Sequence, residues 1–146
     1  MTTVRPAHDD GSATVEFVLL AVVLLVPFVY AVLCVFEVER AAYGLAAATR
    51  EAGRAFVTAP DGAAAQERAR AASALVLDDH GVVDPAPLRI TCDASPCLTP
   101  GARVVVQVSM SVRLPLIPHL GTREPASVRV SATHVEVVDA FREARP

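Results

Sequence analysis

From Phe17 to Phe36 the chain reads FVLLAVVLLVPFVYAVLCVF, 20 residues without a charged position. At about 1.5 Å per residue a helix of this length crosses the roughly 30 Å hydrocarbon core of a bilayer, so the pattern predicts a transmembrane helix. A cleavable secretory signal would carry a shorter apolar region, about 7–15 residues, closed by small residues of the A-x-A kind. Here the run passes directly into Glu37-Val38-Glu39-Arg40, which predicts that the helix stays in the mature protein. Pro27 is tolerable inside it, because neighbouring helices and local adjustment satisfy the carbonyl that proline frees.

Past the apolar run the period becomes helical and one-sided. Val38, Ala41, Ala42, Leu45, Ala48, Ala52 and Phe56 recur at steps of three and four, with Glu37, Arg40, Arg50, Glu51 and Arg54 on the remaining surface. The same helix is therefore expected to continue outward from about Thr14 to Thr58, a rod of about 67 Å by helical rise, and to stop at the break Pro60-Asp61-Gly62. A second, Ala-rich helix follows from Ala63 to about Asp79, with Glu67 and Arg70 three apart and His80-Gly81 as its stop. The period then falls to two. Leu88, Ile90 and Cys92 alternate with Arg89, Thr91 and Asp93; Val104, Val106, Val108, Met110, Val112 and Leu114 alternate with mainly polar residues; Val128, Val130 and Ala132 alternate with Arg129, Ser131 and Thr133. Three strands in sequence suggest an antiparallel meander covered by the long helix. The predicted fold class is α+β, pilin-like in outline, with residues 12–58 as transmembrane helix and spine and 59–146 as an extracytoplasmic domain.

Composition narrows the function classes. All 13 basic residues are Arg and the net charge is −3, which leaves no basic footprint for nucleic acid. The four histidines, His8, His80, His119 and His134, are scattered, and no zinc-protease, P-loop or nucleophile-elbow pattern is present. No enzyme activity, cofactor, metal or small-molecule substrate is expected. Cys34 lies inside the apolar segment, whereas Cys92 and Cys97 bracket a polar turn between the first two strands. In an oxidising compartment that pair is expected to form a disulfide. Free thiols in a reducing compartment, or a metal site completed by His119 or His134, are the alternatives.

Immediately before the apolar run stands Gly11-Ser12-Ala13-Thr14-Val15-Glu16-Phe17, with a lone carboxylate at its edge. An ionised carboxylate at membrane depth costs at least a few kcal/mol unless it finds a partner. The arrangement resembles the signal of type IVb prepilins, a glycine, four residues and then Glu followed by an aromatic, which a membrane aspartyl prepilin peptidase cuts on the cytoplasmic side. The resemblance implies a leader from Met1 to Gly11, cleavage between Gly11 and Ser12, and a new α-ammonium group on Ser12 to pair with Glu16 of the same or a neighbouring subunit, fixing axial register. Phe17 completes the signal.

Basic residues near the helix ends are Arg5 before it and Arg40, Arg50 and Arg54 after it, a distribution that runs against the positive-inside rule for an N-terminus in the cytoplasm. The pairable cysteines lie on the C-terminal side, and on their account the N-terminus is placed in the cytoplasm and the domain outside the plasma membrane, on a single span. Between the second and third strands, Leu114-Pro115-Leu116-Ile117-Pro118-His119-Leu120-Gly121 is apolar where a hairpin would carry polar turn residues. Leu116 and Ile117 either fold onto the domain's own helix or contact a partner subunit or the membrane surface.

Further pieces extend the likeness along most of the chain: R-E-A-G-R at Arg50 to Arg54, the cysteine-bracketed turn from Cys92 to Cys97, Pro100-Gly101, the valine-alternating strand from Val104 to Val112, P-L-I-P-x-L-G at Pro115 to Gly121, and A-T-x-x-V-E at Ala132 to Glu136. Together with G-S-A-x-V-E-F at Gly11 to Phe17 these resemble the TadE-like pseudopilins of Flp/Tad tight-adherence pilus systems. The weakly charged leader and the serine after Gly11 depart from the broader type IV pilins. The resemblance implies a minor pilin or pseudopilin, with the prepilin peptidase, other pilins and the membrane assembly platform as partners. The rival from a different class is an uncut, signal-anchored binding or adhesin module working alone at the surface.

Overall fold

The computed structural model describes residues 12–82, 87–114 and 127–142. Two helices precede a sheet: α1 Ser12–Val57, α2 Gly62–Asp79, β1 Leu88–Cys92, β2 Arg103–Arg113 and β3 Ser127–Val137. The sheet has the order β1-β2-β3, antiparallel throughout, with Leu88 opposite Val108 and Val108 opposite Ala132. The fold is the α+β arrangement that the change of period predicts, and each element starts and ends within a residue or two of its sequence signals.

The chain divides into two compact units between Phe36 and Glu37. In the first, the apolar half of α1 is uncovered on all sides, with Phe17 70% and Phe36 63% exposed. A helix apolar all round normally sits in a core or a membrane, and this one is long and apolar enough to span a bilayer.

In the second unit, the outer half of α1 is not an appendage to the domain but part of its core. Ala41, Gly44, Leu45, Ala48, Thr49, Ala52, Gly53 and Phe56 are buried, a stripe at steps of three and four. Ala42 of the predicted stripe is exposed, because it lies about 100° round the helix from Ala41; Gly44, Thr49 and Gly53 take part instead. The alternation of β2 places Val104, Val106, Val108 and Val112 on the buried face. Ala52, Phe56, Ala59, Ala65, Ala69, Ala102, Val104, Val106 and Val138 form the larger cluster; Leu45, Ala48, Leu77 and Val108 form the smaller. Small residues on α1 let the layers approach closely. A methyl group on Gly44 would meet the His80 side chain at 3.1 Å, tighter than most such contacts.

The helix ends are closed by specific groups. Asp61 caps α2, its carboxylate accepting from the Ala64 amide at 2.8 Å. At the other end Gly81, with φ 73°, lets the Gly81 and Val82 amides turn back to the Asp78 and Leu77 carbonyls, both at 2.8 Å. This is a Schellman motif, completed by Val82 packing on the cluster that holds Leu77. The end of α1 is closed from the far end of the chain: the Arg142 guanidinium donates to the carbonyls of Val57 at 2.7 Å, of Ala59, and of Pro60 at 3.1 Å. Arg142→Ala is expected to cost about 1–2 kcal/mol, since charged donors contribute more than neutral ones while the released carbonyls partly regain water. Chemical denaturation followed by circular dichroism measures it; an unchanged midpoint would show that water closes this helix end equally well.

Candidate functional site

The prepilin-like signal falls at the start of α1. Gly11 lies outside the described residues, as do Leu116 and Ile117. Ser12 is the first residue of α1, and Glu16 stands one turn further in on an exposed helical surface, followed by Phe17. Side chains on an α-helix lean toward its N-terminus, so the Glu16 carboxylate extends back over the turn that begins at Ser12. Among the described residues no salt bridge reaches Glu16; the imidazole–carboxylate contact present is between His134 Nε2 and Glu136, at 2.8 Å.

This geometry has an electrostatic consequence. The first turn of a helix presents unsatisfied amides and the positive end of the macrodipole. An α-ammonium group created at Ser12 would add a like charge there. A carboxylate within one turn, from this helix or from another laid beside it, relieves both charges. Glu16 is the residue of the described chain placed to supply it.

The cysteine pair stands apart from that site. Cys92 closes β1 and is bonded to Cys97, with Cα atoms 5.4 Å apart. Both sulfur-bearing residues pack, half-buried, against the larger core cluster. The same turn is held by the Asp93 carboxylate, which accepts from the Arg103 amide at 2.8 Å, and by the Thr99 hydroxyl, which donates to the Pro96 carbonyl. His134 is engaged with Glu136 rather than directed to the cysteines. Replacing both cysteines with serine is expected to cost about 2 kcal/mol, the loop-closure value for so short a ring. Thermal melting of the full chain with and without reductant checks this, and an unmoved transition would assign the turn's stability to its hydrogen bonds.

One grouping was not legible from spacing. Arg40 from α1, His80 and Gly81 from the end of α2, and Ser111 and Arg113 from the end of β2 line a cleft of about 320 Å³, with Glu37 at its side. The Arg40 Nε donates to the His80 carbonyl at 3.0 Å, and a methyl group on Gly81 would collide with the Arg40 guanidinium. Gly81 thus serves twice, as the stop of α2 and as the floor on which the Arg40 guanidinium lies. In sequence these residues are separated by tens of positions and carry no shared motif. No family model, curated protein or solved structure matches the chain.

Proposed function

We propose that this chain is a membrane-anchored minor pilin or pseudopilin of the Flp/Tad type, cut by a prepilin peptidase and acting in pilus assembly, adherence or a related secretion step. It is held in the plasma membrane by the apolar half of α1, N-terminus in the cytoplasm and the domain outside. Its partners are the peptidase, other pilins and the assembly platform, and its work is assembly rather than catalysis. The observation that carries this reading is the lone carboxylate Glu16, one turn inside a helix that begins at Ser12 and is otherwise apolar and uncovered through Phe36. A helix of that kind needs either lipid or other helices around it, and a carboxylate at its edge needs a cation. A neighbouring subunit with a free Ser12 amine supplies helix and cation together.

The bonded cysteine pair supports an extracytoplasmic domain, since structural disulfides persist in oxidising compartments. Mass spectrometry of the membrane-extracted chain tests the reading. A mature N-terminus at Ser12 is expected, and Gly11→Ala should leave most of the chain with its leader attached. A wild-type chain that keeps its leader would instead favour the uncut, signal-anchored binding module. Undiminished processing of the Gly11→Ala chain would remove Gly11 from the recognition signal.

A further inference from the structure

We propose that the outer face of the sheet, the side turned away from the two helices, docks an acidic polysaccharide through Arg89, Arg103, Arg113 and Arg129. The proposal takes from the preceding reading only that the domain lies outside the membrane, and it does not depend on pilin identity.

Strand alternation defines that face. Val104, Val106 and Val108 of β2 are buried in the core, so the residues between them point the other way, and residues directly opposite on neighbouring strands share a face. Arg89 stands opposite Gln107, Arg129 opposite Ser111 and Arg113 opposite Ser127, which puts all three with Arg103 in the outward set. The four arginines are exposed. The rest of that set is serine, threonine, glutamine and valine, without one Asp or Glu. A net charge of −3 over the whole chain therefore conceals a face whose only charges are positive.

The register also fixes the spacing. Arg113 and Arg129 are diagonal neighbours on adjacent strands, about 7–8 Å apart at the backbone. Arg89 lies level with Gln107, four residues along β2 from Arg103 and four from Ser111, the residue opposite Arg129; each step is about 13 Å. Cationic positions thus recur along the length of the sheet. The fold gains nothing from holding two like charges as close as Arg113 and Arg129, and among the described residues no carboxylate pairs with any of the four.

The composition of the face selects among anionic polymers. It carries no aromatic side chain and so offers no stacking platform to single-stranded nucleic acid. Val105 lies opposite Val135, and Val137 opposite Arg103, which sets apolar surface beside cations. An acidic sugar unit matches this mixture, with a carboxylate for a guanidinium, hydroxyls for the serine, threonine and glutamine side chains, and an apolar ring face for the valines. A nucleic-acid duplex offers a continuous row of phosphates, to which valine contributes nothing. A second copy is a poorer match, because Glu37, Glu51 and Glu67 each have an arginine three positions on in the same helix.

Fluorescence anisotropy of a labelled oligogalacturonate, titrated with the detergent-extracted full chain, tests the face, with the fully methyl-esterified oligosaccharide as uncharged control. The wild type is expected to bind the charged form in preference, and less tightly as salt rises. Arg89→Gln, Arg113→Gln or Arg129→Gln should each weaken binding about threefold, and the double variant at Arg113 and Arg129 about tenfold. Arg68→Gln, at an exposed position of α2, should leave it unchanged. Ser131→Arg, which adds a cation beside Arg129 on the same face, should strengthen it, an outcome that a damaged fold cannot produce.

Equal binding of the charged and esterified forms by the wild type would overturn the proposal. So would an Arg68→Gln loss equal to that of Arg129→Gln, or tighter binding of a short DNA duplex or of phosphatidylglycerol vesicles than of the oligogalacturonate. Protease treatment of spheroplasts separates the face from the topology. A domain that is cleaved in spheroplasts but does not prefer the charged oligosaccharide refutes the face alone; a domain protected in spheroplasts refutes the extracytoplasmic placement, and a polysaccharide partner falls with it.

Discussion

Phe56→Ala is expected to destabilise the domain that begins at Glu37 by about 3–5 kcal/mol, a large share of what a domain of this size possesses. The reason lies in how little else fills the core. The buried apolar positions are mostly Ala and Val, and Phe56 is the largest side chain among those fully buried. It stands where the end of α1, the first turns of α2 and the inner face of β2 meet, in the cluster shared with Ala59, Ala65, Ala69, Val104 and Val106. These neighbours are short and backbone-bound, so they cannot swing in to close the space that a phenyl ring leaves, and the cavity cost is retained nearly in full. Phe56→Leu keeps most of the volume and should cost less than about 2 kcal/mol. Denaturant titration of the full chain in detergent, followed in the far ultraviolet, measures both. A loss below about 1 kcal/mol for the alanine variant would mean that the layers can collapse onto one another, contrary to the close approach seen at Gly44.

The elements were legible because each has a local cause. Asp61, Gly81 and the switch from helical steps of three and four to a period of two act within a few residues, so the boundaries of α2 and the strands follow from the chain itself. The antiparallel order follows from three strands that are consecutive in sequence with no helix between them, since sequential strands usually lie side by side. What local pattern could not supply is which face of α1 turns inward in detail. Alanine and glycine carry little hydrophobic signal, and the choice between Ala42 on one side and Gly44 or Gly53 on the other is made by the helix and sheet that press on them. Arg142 is the same lesson at long range, since its donors meet the end of α1 from 85 positions away. The Arg40 and Arg113 cleft is a third case, created by the fold rather than by a motif.

The candidate site at the start of α1 differs in kind. Its residues lie within seven positions, so sequence brings them together without any fold, and the structure adds direction: Glu16 follows Ser12 by one helical turn on an exposed surface. That proximity has a limit. Cys92 and Cys97 face each other because β1 and its turn hold them, and the pair is complete within the domain. Glu16 has no cation among the described residues, so the register role proposed for it depends on a group supplied by processing or by a second subunit.

Glu16→Gln is accordingly expected to leave membrane insertion intact and to weaken assembly with partner pilins by roughly thirtyfold. The substitution keeps the size and polarity of the side chain and removes only its charge. Insertion should not suffer, because a neutral amide enters a bilayer edge more easily than a carboxylate. Assembly should, because the charge-assisted contact with a Ser12 ammonium becomes a neutral one in a medium of low dielectric, a difference of about 2 kcal/mol. Glu16→Asp retains the charge on a shorter arm and should recover part of the loss, a pattern that a merely steric role would not produce. The measurement is cross-linking of co-expressed subunits in carbonate-washed membranes, made on chains whose N-terminus has first been shown to be Ser12. That condition matters, since Gly11 and Glu16 belong to one signal in the proposed reading: a Gln chain that keeps its leader has no Ser12 amine, and its failure to assemble would report on the peptidase. A Gln chain with a mature N-terminus that assembles as well as the wild type would refute the pairing mechanism and leave Glu16 as a recognition residue only.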